Sequence, residues 1–232
     1  KDAWLNEGTT TYVQSRITES LYGKDMAAME EVIDRNELKE EFKELDPKLQ
    51  RLSLKPGDLA DPDNSSSATV YTKGAWFLQF LEQRYGREVF DPWLKGYFDH
   101  FAFQSITTNL VDKHPNVVTM QEVDAWLFEP GIPPNAPVVE SGKFSTVNAA
   151  RIAWQGSNNL PNPIVTDEWT TQEWVHFLEG MPETLKPEQL AQLDAAYKFT
   201  GTPNGEIAMR WYPLAERSGY AAARVELGKF VE

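Results

Sequence analysis

Two side chains in this sequence combine residue type and setting in a way that suits chemistry. Glu7 lies in Trp4-Leu5-Asn6-Glu7-Gly8-Thr9-Thr10, at the start of an expected helix, where free N–H groups favour a carboxylate. Spacings of four, three and four put Glu7, Thr11, Gln14 and Thr18 on one helix face, and Glu7 is its one charge. A solvated face in so acidic a chain would carry several charges. A helix-end role and a role in a covered site therefore both stand open for Glu7. Tyr71, in Val70-Tyr71-Thr72-Lys73-Gly74, opens the most apolar helix of the chain. A phenol there can project into a cleft and donate a hydrogen bond to developing negative charge. It can equally be a core tyrosine whose hydroxyl meets the backbone. The three histidines, His100, His114 and His176, are too far apart for a two-His zinc helix. With no cysteine, disulfides and thiolate sites are excluded. No G-x-S-x-G, Walker or G-x-G-x-x-G pattern supports a serine hydrolase or a nucleotide binder.

The elements that must position these residues read as mainly helical. Val13, Ile17 and Leu21 recur every fourth residue over 9–22, and Gly23 supplies a stop. A charge-rich helix is expected over 26–45, closed by Asp46-Pro47. Residues 47–69 carry Pro56, Gly57, Asp61-Pro62 and Asn64-Ser65-Ser66-Ser67, which read as a connection. Over 70–85, Trp76, Phe77, Leu78, Phe80 and Leu81 leave almost no polar face, so that helix is expected to be buried. An amphipathic helix follows from Phe90 to Phe101, with Pro92 near its first turn, and a shorter one covers 120–128. Four prolines in Glu129-Pro130-Gly131-Ile132-Pro133-Pro134-Asn135-Ala136-Pro137 then interrupt the pattern. Domains are accordingly expected at 1–128 and 144–232, with a Pro-rich linker over 129–143. Short helices are expected in the second domain near 144–158, 171–180, 187–199, 204–217 and 219–231.

Composition narrows the class. With 41% hydrophobic and 25% charged residues the chain is globular rather than disordered. A formal charge of −13 argues against nucleic acid as a partner. No run of 18 apolar residues occurs, so no membrane-spanning helix and no membrane partner are expected. The opening Lys1-Asp2-Ala3-Trp4-Leu5 does not read as a secretory segment. Compartment and oligomeric state are left open.

Beyond these patterns, Trp4-Leu5-Asn6-Glu7-Gly8-Thr9-Thr10-Thr11-Tyr12 resembles the W-L-N-E-G segment of the gluzincin zinc aminopeptidases. Val70-Tyr71-Thr72-Lys73-Gly74 resembles their Y-x-K-G motif, in the family's order and at about its separation. Asp61-Pro62-Asp63, Phe80-Leu81-Glu82-Gln83, Ser105-Ile106-Thr107-Thr108, residues 126–134 and Glu206-Ile207-Ala208-Met209-Arg210-Trp211 are similar to the leukotriene A4 hydrolase-like branch. The resemblance runs along nearly the whole chain.

It implies the helical lobe of a thermolysin-like metallopeptidase domain, followed by part of an α-helical, superhelix-type C-terminal domain. It also implies one zinc ion and peptide substrates shortened at the N-terminus by metal-activated water. Glu7 would be the glutamate zinc ligand, Tyr71 the oxyanion donor, and Asp63 a substrate-pocket residue. The family's H-E-x-x-H helix, with two further ligands and the general base, would lie upstream of Lys1. The chain alone is therefore expected to be inactive. The G-x-M-E-N loop and the basic pair for the substrate carboxylate are also expected outside it. Gln14 stands where relatives usually carry glutamate, and Ser66 where the branch has a second pocket tyrosine. The alternatives are a non-catalytic helical scaffold and a leukotriene-type epoxide hydrolase.

Overall fold

The computed structural model describes residues 3–54, 68–100, 106–157 and 166–231, and among them it is helical with no strand. Contacts divide the chain into two compact units, Lys1–Val139 and Glu140–Glu232.

In the first unit, α1 (Ala3–Tyr22) ends at Gly23, whose φ of 91° a side chain would resist. The charge-rich α2 (Lys24–Glu44) buries Ala27, Met29, Arg35 and Leu38. A short π-helical turn, Thr69–Lys73, leads directly into α3 (Gly74–Tyr85). α3 buries Gly74, Ala75, Trp76, Phe77, Leu78, Phe80 and Leu81, as its apolar circumference demands. Phe77 stacks on Trp126 at 5.5 Å and meets Trp4 at 5.7 Å, so α3 forms the axis of this unit's core.

α4 (Arg87–His100) starts after Gly86, and Pro92 lies inside it rather than in its first turn. The fourfold spacing leaves the carbonyl of Glu88 without its helical donor there, and Pro92 faces solvent. α5 (Ile106–Lys113) is an addition to the expected elements. Thr107, Thr108 and Asn109 are indifferent helix formers and hide it from a periodicity reading. α6 (Met120–Phe128) opens on a capping box between Thr119 and Glu122.

Polar bonds cross-tie the helices. Arg16 forks onto Asp91 with two bonds of 3.0 Å, and the Tyr12 hydroxyl donates to Glu82 at 2.6 Å. The Pro-rich stretch does not hang free. The carbonyl of Pro137 accepts from Arg35 Nη1 at 2.9 Å and from Trp76 Nε1 at 2.8 Å, which holds this stretch against the first unit.

The second unit comprises α7 (Gly142–Ser157), α8 (Thr171–Glu179), α9 (Pro187–Tyr197), α10 (Gly205–Arg217), a 3₁₀ turn at Ala221–Ala223 and α11 (Arg224–Val231). Trp154, Phe177, Leu190, Leu193, Ala208 and Trp211 are fully buried in its core. Thr170 with Glu173 caps α8, and Asn204 caps α10. His176 lies flat on Phe144, with centroids 3.9 Å apart, and its Nε2 meets Asn148 Oδ1 at 3.0 Å. Burial and then the neighbouring Arg151 push this imidazole down to about 4, so it is neutral near pH 7. No described helix is long and apolar enough to cross a membrane.

Candidate functional site

Two glycines bring the two candidate segments together. A Cβ on Gly8 would fall 2.7 Å from the Gly74 backbone, and one on Gly74 would fall 3.0 Å from Gly8 Cα and 3.2 Å from the Trp4 carbonyl. Only glycine at both positions lets α1 cross the head of α3 at this separation. Glu7 immediately precedes the first of these glycines, and the Tyr71 turn immediately precedes the second.

Helix α1 already runs from Ala3, so Glu7 stands in its second turn rather than its first. The helix-end explanation of this carboxylate loses most of its force, because dipole stabilisation fades beyond the first turn. Glu7 is partly buried, and its carboxylate makes no hydrogen bond or ion pair among the described residues. Tyr71 is 38% exposed, and its hydroxyl likewise has no partner there. It is not a core tyrosine. A carboxylate and a phenol on neighbouring segments thus keep hydrogen-bonding capacity that no described residue takes up. Asp63 and Ser66 lie outside the described residues.

Gln14, two turns further along the same face of α1, borders a cleft open to solvent. Thr11, Gln14 and Ser15 line it from α1, Glu30, Glu31, Asp34 and Arg35 from α2, and Thr72, Ala75 and Gln79 from the other side. Glu31 accepts from Ser15 and, at 2.6 Å, from Gln79 Nε2; burial raises its carboxyl. Arg35 donates to Gln79 Oε1 and lies over the Trp76 ring at 4.3 Å. Its burial lowers the guanidinium to about 10. These polar bonds link α1, α2 and α3 across the cleft.

The third residue of the tyrosine motif was given no role from sequence. Lys73 is completely buried, and its Nζ donates to the carbonyls of Gln50 at 2.8 Å and Glu129 at 2.9 Å. Burial pushes its ammonium down to about 8. The available signal was a single cation in an otherwise apolar run, where burial demands dedicated acceptors.

The fit to a metal can be judged from the donors present. Glu7 offers a free carboxylate of the kind zinc takes. Among the described residues no group of three His, Cys, Asp or Glu could hold an ion. Among the described residues Glu7 stands alone and not within a complete metal site.

Comparison with known proteins follows the same division. Residues 1–128 match the peptidase family M1 domain, and residues 169–232 match the leukotriene A4 hydrolase C-terminal family. Leucine aminopeptidase 2 of Yarrowia lipolytica is 30% identical over 91% of the chain and 37% of its own length. Aminopeptidase B of Mus musculus is 30% identical over 94% of the chain and 37% of its own length. Leucine aminopeptidase 2 of Kluyveromyces lactis is 35% identical over 98% and 39% respectively. The solved structure of yeast LTA4 hydrolase in complex with Bestatin superposes with a TM-score of 0.84 at 22% identity, covering 98% of this chain and 42% of that one. The chain spans about two fifths of the length of the relatives it matches.

Proposed function

The chain belongs to peptidase family M1, in its leukotriene A4 hydrolase-like branch, and on that footing we propose that it is the zinc-ligand and oxyanion half of an aminopeptidase active site. In this reading it works within a longer polypeptide that removes N-terminal residues from peptides. The observation that carries the proposal is the Gly8–Gly74 crossing, which brings the backbones next to Glu7 and Tyr71 within van der Waals contact.

Glu7 would hold the zinc through its carboxylate, the two other ligands coming from outside this chain. Zinc in a site of two histidines and a glutamate supplies a Lewis acid that acidifies water towards neutrality. The residues of this chain do the rest. Tyr71 stands on a turn anchored at its C-terminal end by Lys73 and Gly74 and donates a hydrogen bond from its phenolic O–H to the negative charge that develops on the scissile carbonyl oxygen. Such a donor accelerates the reaction because it is already in place before charge appears. Asp63, assigned through the motif alone, would line the pocket for a basic or polar substrate side chain. Gln14, a neutral amide, gives weaker orientation to a metal ligand than a carboxylate would.

The test is turnover of aminoacyl arylamides by the full-length protein with and without a chelator, beside the 232-residue chain alone. The full-length protein should be active and chelator-sensitive. The 232-residue chain should show no turnover and retain no stoichiometric zinc after dialysis, since one carboxylate stands where three ligands are needed. A chelator-insensitive full-length enzyme, or tight zinc on the short chain, contradicts the reading.

A further inference from the structure

We propose that Lys73 is a positioning residue for Tyr71: its buried side chain ties the Thr69–Lys73 turn to two distant segments and thereby fixes where the phenol stands. This inference rests on Tyr71 acting as the oxyanion donor.

No hydrogen bond among the described residues fixes the Tyr71 hydroxyl, and the residue is 38% exposed. Its place is inherited from the backbone turn beneath it. At its C-terminal end that turn runs into Gly74, whose backbone contact with α1 leaves no room for a Cβ. The same end is held by Lys73. The Nζ donates to the carbonyl of Gln50, 23 residues earlier, and to that of Glu129, 56 residues later. Gln50 is itself fastened: its Nε2 donates to the carbonyls of Phe42 and Leu45 at 2.9 and 2.8 Å, and its Oε1 accepts from the Gly131 N–H at 3.0 Å. The lysine therefore grips anchors that cannot easily follow it.

Stability alone gives no reason for a lysine here. A fully buried cation carries a heavy desolvation cost, and an apolar side chain of similar length would fill the same space in this apolar helix. What an apolar residue lacks is direction: two N–H donors aimed at two carbonyls on different segments define the rotation of the turn. The turn is also π-helical, with one more residue per hydrogen-bonded ring than an α-helix, and such turns need external support. Lys73 is completely buried, so it does not itself reach substrate. Its influence on the reaction passes through the backbone.

The test is a double-mutant cycle in the full-length enzyme, reading kcat, KM and zinc content for Tyr71→Phe, Lys73→Met and the combination. Tyr71→Phe alone should cost on the order of 10²–10³ in kcat. Lys73→Met should lower kcat by about 10²-fold, the scale of an ångström of misplacement, with KM and zinc little changed. In the Lys73→Met background, Tyr71→Phe should cost less than about threefold, because the two act as one unit. A purely structural lysine gives costs that multiply, and that result overturns the inference while leaving Tyr71 catalytic. A Tyr71→Phe enzyme with full kcat removes the underlying reading instead. If Lys73→Met does not accumulate in folded form, Lys73→Gln, which keeps donors on a shorter chain, is taken through the same cycle with the same two outcomes.

Discussion

Tyr71 combines an apolar helix beneath it with a hydroxyl that nothing among the described residues satisfies. In the full-length enzyme, Tyr71→Phe deletes one oxygen and keeps the ring, so kcat and kcat/KM should fall together by about 10²–10³ with KM nearly constant. The melting temperature should hardly move, since no hydrogen bond among the described residues is lost. A tyrosine serving only the fold would do the reverse, lowering the melting temperature and leaving turnover per folded molecule intact. Steady-state kinetics beside a thermal melt separate the two. Glu7 and Tyr71 were both legible as candidates because a lone carboxylate on an uncharged face and a phenol opening a buried helix are local patterns. Lys73 was not, because its meaning depends on carbonyls 23 and 56 residues away. Sequence spacing carries no information about such partners.

Among the elements, the crossing of α1 over the head of α3 sets the geometry of the site. Gly8→Ala places a methyl 2.7 Å from backbone atoms that cannot rotate away, so the helices must part. Overpacking of this kind typically costs about 1–3 kcal/mol, read as a lower melting temperature, and kcat should fall with it because Glu7 and Tyr71 move apart. An unchanged melting temperature would mean that the crossing is looser than it looks. Most helices were readable from apolar spacing and from Gly23 and Gly86 as stops. The exceptions have physical causes. The Thr-rich start of α5 lacks helix-forming residues, and the π-helical turn at Thr69–Lys73 cannot be told from an α-helix by periodicity.

In the second unit, α8 carries a titration that stability should report. The folded-state pKa of His176 near 4 lies below the usual value of 6.5, so the unfolded chain binds the proton first as the pH falls. The stabilisation from this neutral imidazole is complete above about 6.5 and is lost as the pH drops through 4. Melts of the 232-residue chain should show the second unit weakening across that window. His176→Gln, which keeps a donor for Asn148, should flatten the decline. An equally steep decline in the variant would assign it to other groups.

At the level of the protein, the chain is built of two helical units, each with its own apolar core. In the first, an ion-pair network ties α1 to α3 and α4 through Arg16, Tyr12, Glu82 and Asp91, and the Pro137 carbonyl fixes the end of the Pro-rich stretch to α2 and α3. Exposed pairs in such a network contribute little singly, on the order of 0–1 kcal/mol each. Their value lies in holding the helices that present Glu7 and Tyr71. The central claim is that Glu7 is a zinc ligand, and metal content tests it most directly. Zinc is to be measured by plasma emission on the dialysed full-length protein carrying either Glu7 or Glu7→Gln. The unsubstituted protein should retain about one zinc per chain, and the variant almost none, because an amide is a poor substitute for a carboxylate on this metal. Equal zinc in both proteins would contradict the assignment.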